Sequence, residues 1–315
     1  MKGVKLRMRS NPGAAAKRRR ITLQCYLMLA LPIIGYLVFT VYPVLWTFAW
    51  SLYSYNGVAV NARFVGWENF ATMLTKDFTY WRMWGNTLLM AVMKMPVELS
   101  AAMILAVILS RRGKASGFFR SVYYLPSVIS IAVVGLVFSN LFSYFGVFNG
   151  ILMRLGVIEA EVDWFSSKAL SLTALTLAGI WNTFGVNVMY LLAALTNVPA
   201  EVYESAALDG ASGGAVFFRI TLPMIAPVFR TVLLLSLIGT LSVNEIVLVL
   251  TNGAPGGQSF SVMSYLTRQF VPGFISSHNL PPLGYGCAMS AVTTVLFAVI
   301  AFVYSRVSGT MDENT

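Results

Sequence analysis

The chain has few charged residues and almost no histidine or cysteine. Charged side chains make up 11% of its 315 residues, hydrophobic side chains make up 57%, and the mean hydropathy is +0.72. A water-soluble globular protein needs far more charge on its surface, so that class is excluded. The two cysteines, Cys25 and Cys287, lie in apolar stretches near opposite ends of the chain, and His278 stands alone. These three side chains predict neither a disulfide framework nor a metal site.

Residues for catalysis are also missing from the sequence. A phosphate-binding loop would need a glycine five residues before the Gly113-Lys114 pair, and that position holds Ile108. We find no cluster of metal ligands and no Ser/His/Asp set with a suitable spacing. The sequence therefore predicts a protein that is not an enzyme and binds no cofactor itself. Any work that it performs must be driven by a partner protein or by an ion gradient.

Long apolar runs are what the sequence has instead. A helix that spans a bilayer needs about 20 predominantly apolar residues. Six runs reach that length, at about 22–50, 86–110, 121–143, 170–196, 224–250 and 284–305. Backbone polar groups in lipid must be hydrogen-bonded within the protein, and continuous apolar runs do not fit the alternating pattern of barrel strands. The predicted fold is therefore an all-α membrane protein with six transmembrane helices.

Lysine and arginine are distributed unevenly between the two sides of this predicted bundle. With the N-terminus inside, fifteen of the 22 basic residues fall on the cytoplasmic side, six fall outside, and Lys94 lies within a span. Without the N-terminal tail the count still leans inward, seven to six. Cytoplasmic loops of membrane proteins are enriched in these residues. The asymmetry predicts that both termini, and the loop between the fourth and fifth runs, are cytoplasmic.

The first 21 residues form a basic tail. They contain eight positive charges and no acid directly before the first apolar run. This arrangement favours anchoring at anionic lipid over binding of nucleic acid. The run after Arg20 is too long for a secretory signal, so we expect it to remain in the mature protein. The predicted organisation is a cytoplasmic tail at 1–21, a six-span domain at 22–310 and a cytoplasmic tail at 311–315.

The loop at 197–223 is polar and rich in small residues. Asn197 and Pro199 suit the start of a helix, because asparagine caps free amides and proline has no amide to lose in the first turn. Gly210 suits its end, where the backbone often turns left-handed. A second short helix is predicted at about 215–222, ended by the proline that follows. The loop is therefore predicted to be a helix-turn-helix that another protein can approach closely.

The same loop resembles the cytoplasmic coupling loop of ABC importer permeases. The family pattern is Glu-Ala-Ala, then Gly after three further residues, followed by Ile-x-Leu-Pro. The matching residues are Glu204, Ala206, Gly210, Ile220, Leu222 and Pro223, and Asp209-Gly210-Ala211 agrees with the sugar branch of the family. Ser205 stands where alanine is usual. In the family this loop docks on an ATP-binding subunit, so the resemblance implies that these residues couple the chain to a separate ATPase. Asp209 either contacts that partner or supports the turn.

Four further motifs are similar to maltose-type sugar permeases. They occur in the family's order at 64–70 (FVGWENF) with 84–88 (WGNTL), at 120–126 (RSVYYLP), at 146–149 (GVFN) and at 250–255 (LTNGAP). Ala254 replaces the second glycine of the last motif. Because five motifs in order are far more specific than one, the chain is identified as a member of the maltose-type family of binding-protein-dependent ABC importer permeases.

Charged residues within the predicted spans need separate explanations. Lys94 and Glu98 are four residues apart, so they can neutralise each other on one helix face, either as a structural pair or as a proton relay. Arg230 is near the inner end of its span and can reach the headgroups. Glu245, next to Asn244, lies where sugar permeases often have aspartate.

A substrate path is implied in the fourth and fifth spans, where the resemblance places part of the maltose-type site. Its candidate residues are Trp181, Asn182, Gly185, Asn187, Asn244 and Glu245. Amides and carboxylates exchange hydrogen bonds with sugar hydroxyls, and aromatic faces cover sugar rings. Polar residues that pack helices together would give the same pattern.

The resemblance implies a pore subunit and a set of partners. The chain would form half of the pore of an importer for a sugar or oligosaccharide, in the plasma membrane of a bacterium or archaeon. The implied partners are a second, related permease, two ATP-binding subunits that hold ATP and Mg²⁺, an extracytoplasmic solute-binding protein and membrane lipid, with no nucleic acid. The alternative is a secondary transporter in which Lys94, Glu98 and Glu245 relay ions. That class usually shows internal repeats with broken helices, and the sequence has no such repeat.

Overall fold

The structure of the protein, a computed structural model, describes residues 12–58, 60, 62–110, 116–271 and 283–310. His278, the Gly113-Lys114 pair and the tail at 311–315 lie outside these ranges, as does most of the basic tail. In the described ranges the helices are α1 (Pro12–Tyr36), α2 (Tyr42–Trp50), α3 (Glu68–Thr75), α4 (Phe78–Ser110), α5 (Ser116–Val128), α6 (Ile131–Leu141), α7 (Val147–Arg154), α8 (Lys168–Thr196), α9 (Ala200–Leu208), α10 (Gly213–Val216), α11 (Leu222–Leu241), α12 (Glu245–Leu250), α13 (Val262–Phe270) and α14 (Leu283–Thr310). Two short strands, β1 (Tyr53–Ser54) and β2 (Arg63–Phe64), pair antiparallel with Tyr53 opposite Phe64.

Within the residues that the structure describes, five helical stretches are long and apolar enough to cross a membrane. They are Arg19–Trp50, Phe78–Ser110, Lys168–Thr196, Gly213–Leu241 and Leu283–Gly309. A sixth crossing is made if the bent pair α5 and α6 counts as one span. The predicted all-α membrane fold with six spans is confirmed in this form.

The third span is not the continuous helix predicted over 121–143. Its two halves meet at an angle of 94°. Pro126 lies in the last turn of α5 and lacks an N–H for the helical ladder, and Ser130 then adopts an extended conformation with ψ of 133°. The carbonyl of Pro126 is satisfied from another helix, because Asn182 on α8 donates to it at 2.9 Å. Such a break is tolerated in a membrane protein where neighbouring helices supply the missing hydrogen bonds.

Two large apolar cores, beside a smaller third one, hold the described helices together. One contains Tyr80, Ile246 and Phe260 and joins α4 to α12 and to the segment before α13. The other contains Leu99 and Leu191 and joins α4 to α8. Along α4, Lys94 and Glu98 lie between the residues of the first core and those of the second, so a polar layer separates the two apolar ones.

The first span packs on little of the rest of the chain. It runs through α1, a π-helical turn at Leu37–Val41 and α2, and no residue in its most apolar window is buried. At its end, Trp50 contacts Tyr53 and Tyr55, with ring centroids 5.4 and 4.2 Å apart. An apolar helix with this exposure must be covered by lipid or by another chain.

Candidate functional site

The turn of the coupling segment, which we define as residues 197–223, is built around Gly210. This glycine has φ of +70°, and its N–H donates to the carbonyl of Ala207 at 3.1 Å. The N–H of Ala211 donates to the carbonyl of Ala206 at 3.0 Å. These two bonds form a Schellman motif, which ends a helix with a left-handed residue. The predicted left-handed stop at Gly210 is therefore confirmed.

The start of α9 differs from the prediction. Asn197 ends α8 as its C-cap, and Pro199 occupies the N-cap position of α9 with φ of −59° and ψ of 136°. The fourth span thus runs almost directly into α9, with Val198 between the two caps. The connection between α8 and α9 is three residues long.

The second half of the coupling segment also differs. α10 starts after Ser212, whose hydroxyl accepts the N–H of Ala215, and continues through a π-helical turn at Phe217–Thr221 into α11. The prediction that Pro223 ends a separate short helix is wrong. Proline has no N–H to donate to the helical hydrogen-bond ladder. The π-helical turn before it is wider than an α-helical turn, and the helix continues through Pro223. α10 and the fifth span therefore form one continuous rod.

The predicted coupling residues differ in exposure. Ala206 is buried against its own chain, Ile220 and Leu222 are half-buried, and the exposed members are Glu204, Asp209, Gly210, Ala211 and Pro223. Two apolar side chains of this segment, Leu208 and Phe218, are 90% and 67% exposed. The motif did not identify them because the family pattern leaves their positions open. A large apolar residue in an otherwise polar loop was the available signal.

A half-open cavity of about 640 Å³ lies between the helices of the bundle. This volume is within the range of small-molecule sites. Its walls come mainly from α4, α8, α11 and the start of α12, with one residue each from α6 and α13. Its polar lining residues are Lys94, Thr176, Thr183, Asn187, Tyr190, Ser236, Thr240, Ser242, Asn244 and Glu245. The lining combines apolar side chains with hydrogen-bonding groups, as a site for a polyol requires.

The fifth span breaks at this cavity instead of continuing from 224 to 250 as predicted. α11 ends at Leu241 and α12 begins at Glu245. The hydroxyl of Ser261 donates to the freed carbonyl of Val243 at 2.6 Å. α12 lies so close to α6 that a Cβ atom on Gly135 would be 2.9 Å from Cβ of Val249. Irregular backbone within a membrane is tolerated where it lines a cavity and is satisfied in this way.

The break exposes two polar side chains to the cavity. The side-chain oxygen of Asn244 is buried and has no hydrogen-bond partner within the part of the chain that the structure describes. Glu245 is exposed at the first residue of α12, where the helix dipole favours a negative charge. A buried acceptor without a donor costs free energy, so the site suits a ligand with hydroxyl groups.

Lys94 and Glu98 form an ion pair in the wall of the cavity. The Lys94 Nζ atom lies 3.3 Å from Glu98 Oε2 and also donates to Thr240 at 3.3 Å. Glu98 has no exposed surface, and it accepts hydrogen bonds from Thr183, Asn187 and Ser236. The pair therefore links α4 to α8 and α11 by a satisfied polar network. This geometry supports the structural interpretation of the pair.

The remaining predicted path residues lie against the bent third span. Asn182 donates to Pro126, and the ring of Trp181 lies 5.5 Å from that of Phe138. A Cβ atom on Gly185 would be 1.9 Å from the carbonyl oxygen of Tyr123, so the backbone of α5 takes the space that this glycine leaves. The structure thus brings Asn187, Asn244 and Glu245 together around the cavity, places Asn182 and Gly185 against α5, and leaves Trp181 exposed beside α6.

Comparison with known proteins agrees with this architecture. Residues 98–312 match the family described as binding-protein-dependent transport system inner membrane component. A lactose transport system permease protein from Rhizobium radiobacter is 31% identical over 84% of this chain and 87% of its own length. A trehalose/maltose transport system permease protein from Thermococcus litoralis is 32% identical over 90% of this chain and 92% of its own length.

The fold is also similar to a solved structure. A chain of a bacterial ABC transporter involved in the import of the acidic polysaccharide alginate superposes with a TM-score of 0.78 at 22% identity, covering 94% of this chain and 98% of the other. At this identity the likeness concerns the fold alone. Sequence and fold agree, and this multi-pass membrane protein belongs to the family of inner membrane components of binding-protein-dependent transport systems.

Proposed function

We propose that this chain is the permease subunit of an ATP-driven, binding-protein-dependent importer for a sugar or oligosaccharide. The observation that supports the substrate class is the central cavity, in which Asn187, Asn244 and Glu245 offer amides and a carboxylate to hydroxyl groups. Relatives named for lactose and for trehalose/maltose support the same class. The chain would form half of the pore, with the break in the fifth span forming part of the substrate path.

The coupling segment is proposed to transmit movement from a separate ATPase. Glu204, Asp209 and Ala211 lie on its exposed surface, and Leu208 and Phe218 add apolar contacts of the kind that a groove in another protein buries. The segment is joined to the fourth span by the three residues 197–199 and to the fifth span by a continuous helix. ATP and Mg²⁺ are proposed to bind to the partner chains.

The proposed assembly contains a second, related permease, two ATP-binding subunits and an extracytoplasmic solute-binding protein. The exposed first span gives the second permease an apolar surface to cover. A solved structure similar to this chain is a bacterial alginate ABC transporter in complex with an alginate pentasaccharide-bound periplasmic protein. This precedent supports an external binding protein as the source of substrate.

The orientation is proposed from the distribution of basic residues, with both termini and the coupling segment in the cytoplasm of a bacterial or archaeal cell. The domain boundaries at 21 and 310 follow from the same topology. We expect reporters fused near Gly213 and after Thr315 to show a cytoplasmic location, and a reporter near Gly57 to show an external one. An external signal at Gly213 would disprove the coupling role of that segment.

Reconstituted uptake tests the proposed function. The purified complex, together with its binding protein, should accumulate labelled oligosaccharide in liposomes when ATP is present, and an ionophore should not stop it. The alternative, a secondary transporter, requires the opposite result: uptake without ATP that collapses with the proton or sodium gradient. An ATPase that copurifies with the chain would be independent support.

Replacing Glu245 with alanine should lower the transport rate per assembled complex more than it lowers the yield of assembled complex. Loss of a hydrogen bond to a charged group costs about 1.5–3 kcal/mol, which corresponds to roughly tenfold to hundredfold slower transport per assembled complex in Glu245→Ala. The measurement is uptake divided by the amount of complex, with ATPase activity recorded alongside. Glu159→Ala, which removes an exposed acid from a loop, is the matched control. A fall in the yield of complex with unchanged uptake per complex would instead assign Glu245 to helix packing.

A further inference from the structure

The short helix α7 after the third span is fixed to the protein by one buried face. Asn149 on that face donates to the carbonyls of Tyr144 and Val162, each at 2.8 Å. Its side-chain oxygen accepts the indole N–H of Trp164 at 2.9 Å. Phe148 packs against the same tryptophan, with ring centroids 5.2 Å apart. The orientation of α7 is therefore set by satisfied polar contacts and aromatic packing.

The opposite face of α7 is apolar, and none of the described residues covers it. Val147, Ile151 and Leu155 are 62%, 48% and 70% exposed. Because they are spaced by four residues, they lie in one row along the helix. Phe145, just before the helix, is 87% exposed and Val157, just after it, is also exposed. We call these five residues the α7 stripe. Apolar residues of this size are not left in water without a partner surface.

The depth of α7 in the membrane follows from the length of α8. Its 29 residues extend for about 43 Å, which exceeds a hydrocarbon layer of about 30 Å by roughly two turns of helix. Shared between the two ends, this excess places the hydrocarbon boundary about four residues after Lys168. α7 packs near that level, because Phe148 and Leu152 share a small core with Leu170 and Ala174. α7 therefore lies at the boundary between hydrocarbon and headgroups.

The surroundings of the stripe also favour lipid as its partner. The preceding helix, α6, exposes Leu136 and Val137, and its chain leads through the exposed Tyr144 and Phe145 into α7. Aromatic side chains are typical of the membrane interface. Arg154 is exposed in the last turn of α7, where its long side chain can reach lipid phosphates.

We propose that α7 is an interfacial helix whose stripe inserts into the leaflet opposite the coupling segment. α7 follows the third span and the coupling segment follows the fourth, so the two lie on opposite sides of the membrane. The partner of the stripe is the acyl and headgroup region of phospholipid. This lipid contact holds the bent third span, and with it the wall of α6 against α12, at a fixed depth. The proposal depends on the six-span fold and not on the identity of the substrate.

Spin labels on the assembled complex in phospholipid nanodiscs test this proposal. Single cysteines at Val147, Ile151 and Leu155 are introduced into a chain with Cys25→Ser and Cys287→Ala, and collision rates with oxygen and with a water-soluble nickel chelate are compared. Oxygen should exceed nickel at all three positions, because oxygen concentrates in lipid. The matched control at Ala160, an exposed loop residue, should show the opposite ratio.

Two results would overturn the proposal. Nickel exceeding oxygen along the stripe would show that it faces water. Low access to both reagents would show that protein covers it, and repeating the measurement without the binding protein would identify whether that protein or the second permease does so. A lipid bearing a photoreactive acyl chain gives a second test on the unaltered chain: crosslinks should include residues within 145–157, and their absence there would contradict lipid contact.

Discussion

Replacing Gly210 with valine should abolish uptake while the chain still inserts and its spans remain folded. The glycine has φ of +70°, a conformation that is strongly unfavourable for a β-branched residue. A Cβ atom at this position would meet no other atom within 4 Å, so the expected defect is in the direction of the chain and not in packing. The Schellman turn would open, and α9 and α10 would lose their fixed angle. We expect uptake at background level, with ATP hydrolysis either lost or no longer linked to transport.

Two control variants separate backbone conformation from side-chain size. Gly210→Asn should retain most uptake, because asparagine adopts the left-handed conformation more readily than other residues with a Cβ atom. Gly150→Val adds the same side chain to a helical glycine with open space around it, and should have little effect on uptake. Normal uptake by Gly210→Val would contradict the role assigned to the turn.

Removal of the Glu98 carboxylate should cause the largest loss of stability in this chain. Glu98→Ala leaves the Lys94 ammonium in the bundle without its ion-pair partner, and it also removes the acceptor for Asn187 and Thr183. Breaking a buried pair by deleting one member typically costs about 3–5 kcal/mol. We expect a much lower yield of assembled complex and a clear fall in its thermal unfolding temperature in detergent. Glu159→Ala, at an exposed acid, should change neither.

The double variant Lys94→Met/Glu98→Leu provides the decisive comparison. Replacing both charges with apolar side chains removes the unpaired ammonium, and such replacements of buried pairs are often neutral or stabilising. We expect the double variant to recover most of the yield that Glu98→Ala loses, and to transport. A double variant that assembles but cannot transport would show that the pair acts in translocation. That result would revive the relay interpretation.

The fold was predictable from the sequence at the level of spans and not at the level of breaks. Six apolar runs specify six crossings because hydrophobic length alone decides whether a segment spans a bilayer. The breaks at 129–130 and 242–244 depend on which neighbour satisfies the freed backbone groups. Those partners, Asn182 for Pro126 and Ser261 for Val243, come from distant parts of the chain. Hydropathy contains no information about such pairings.

In the candidate site, too, local features could be predicted from the sequence and contacts between distant residues could not. The motif predicted a coupling role for residues 197–223, which stays a prediction, and the left-handed turn at Gly210 followed from glycine chemistry. The partner of Asn187 did not, because Glu98 lies 89 positions away and meets it through packing of α4 on α8. Gly185 was predicted to leave room for a ligand. A small residue in an apolar run can equally make room for a neighbouring backbone, and in the structure α5 occupies that space.

The first span, which the rest of the bundle leaves exposed, determines whether the chain crosses the membrane an even or an odd number of times. Because it buries none of its apolar window and meets the later helices mainly where α2 contacts α14, deleting it should leave most of the packing among those helices unchanged. It would, however, leave an odd number of crossings, so the new N-terminus would have to emerge on the face of the membrane opposite the old one. The first span thus makes the number of membrane crossings even. Its presence therefore determines on which side of the membrane the N-terminus lies relative to each later loop.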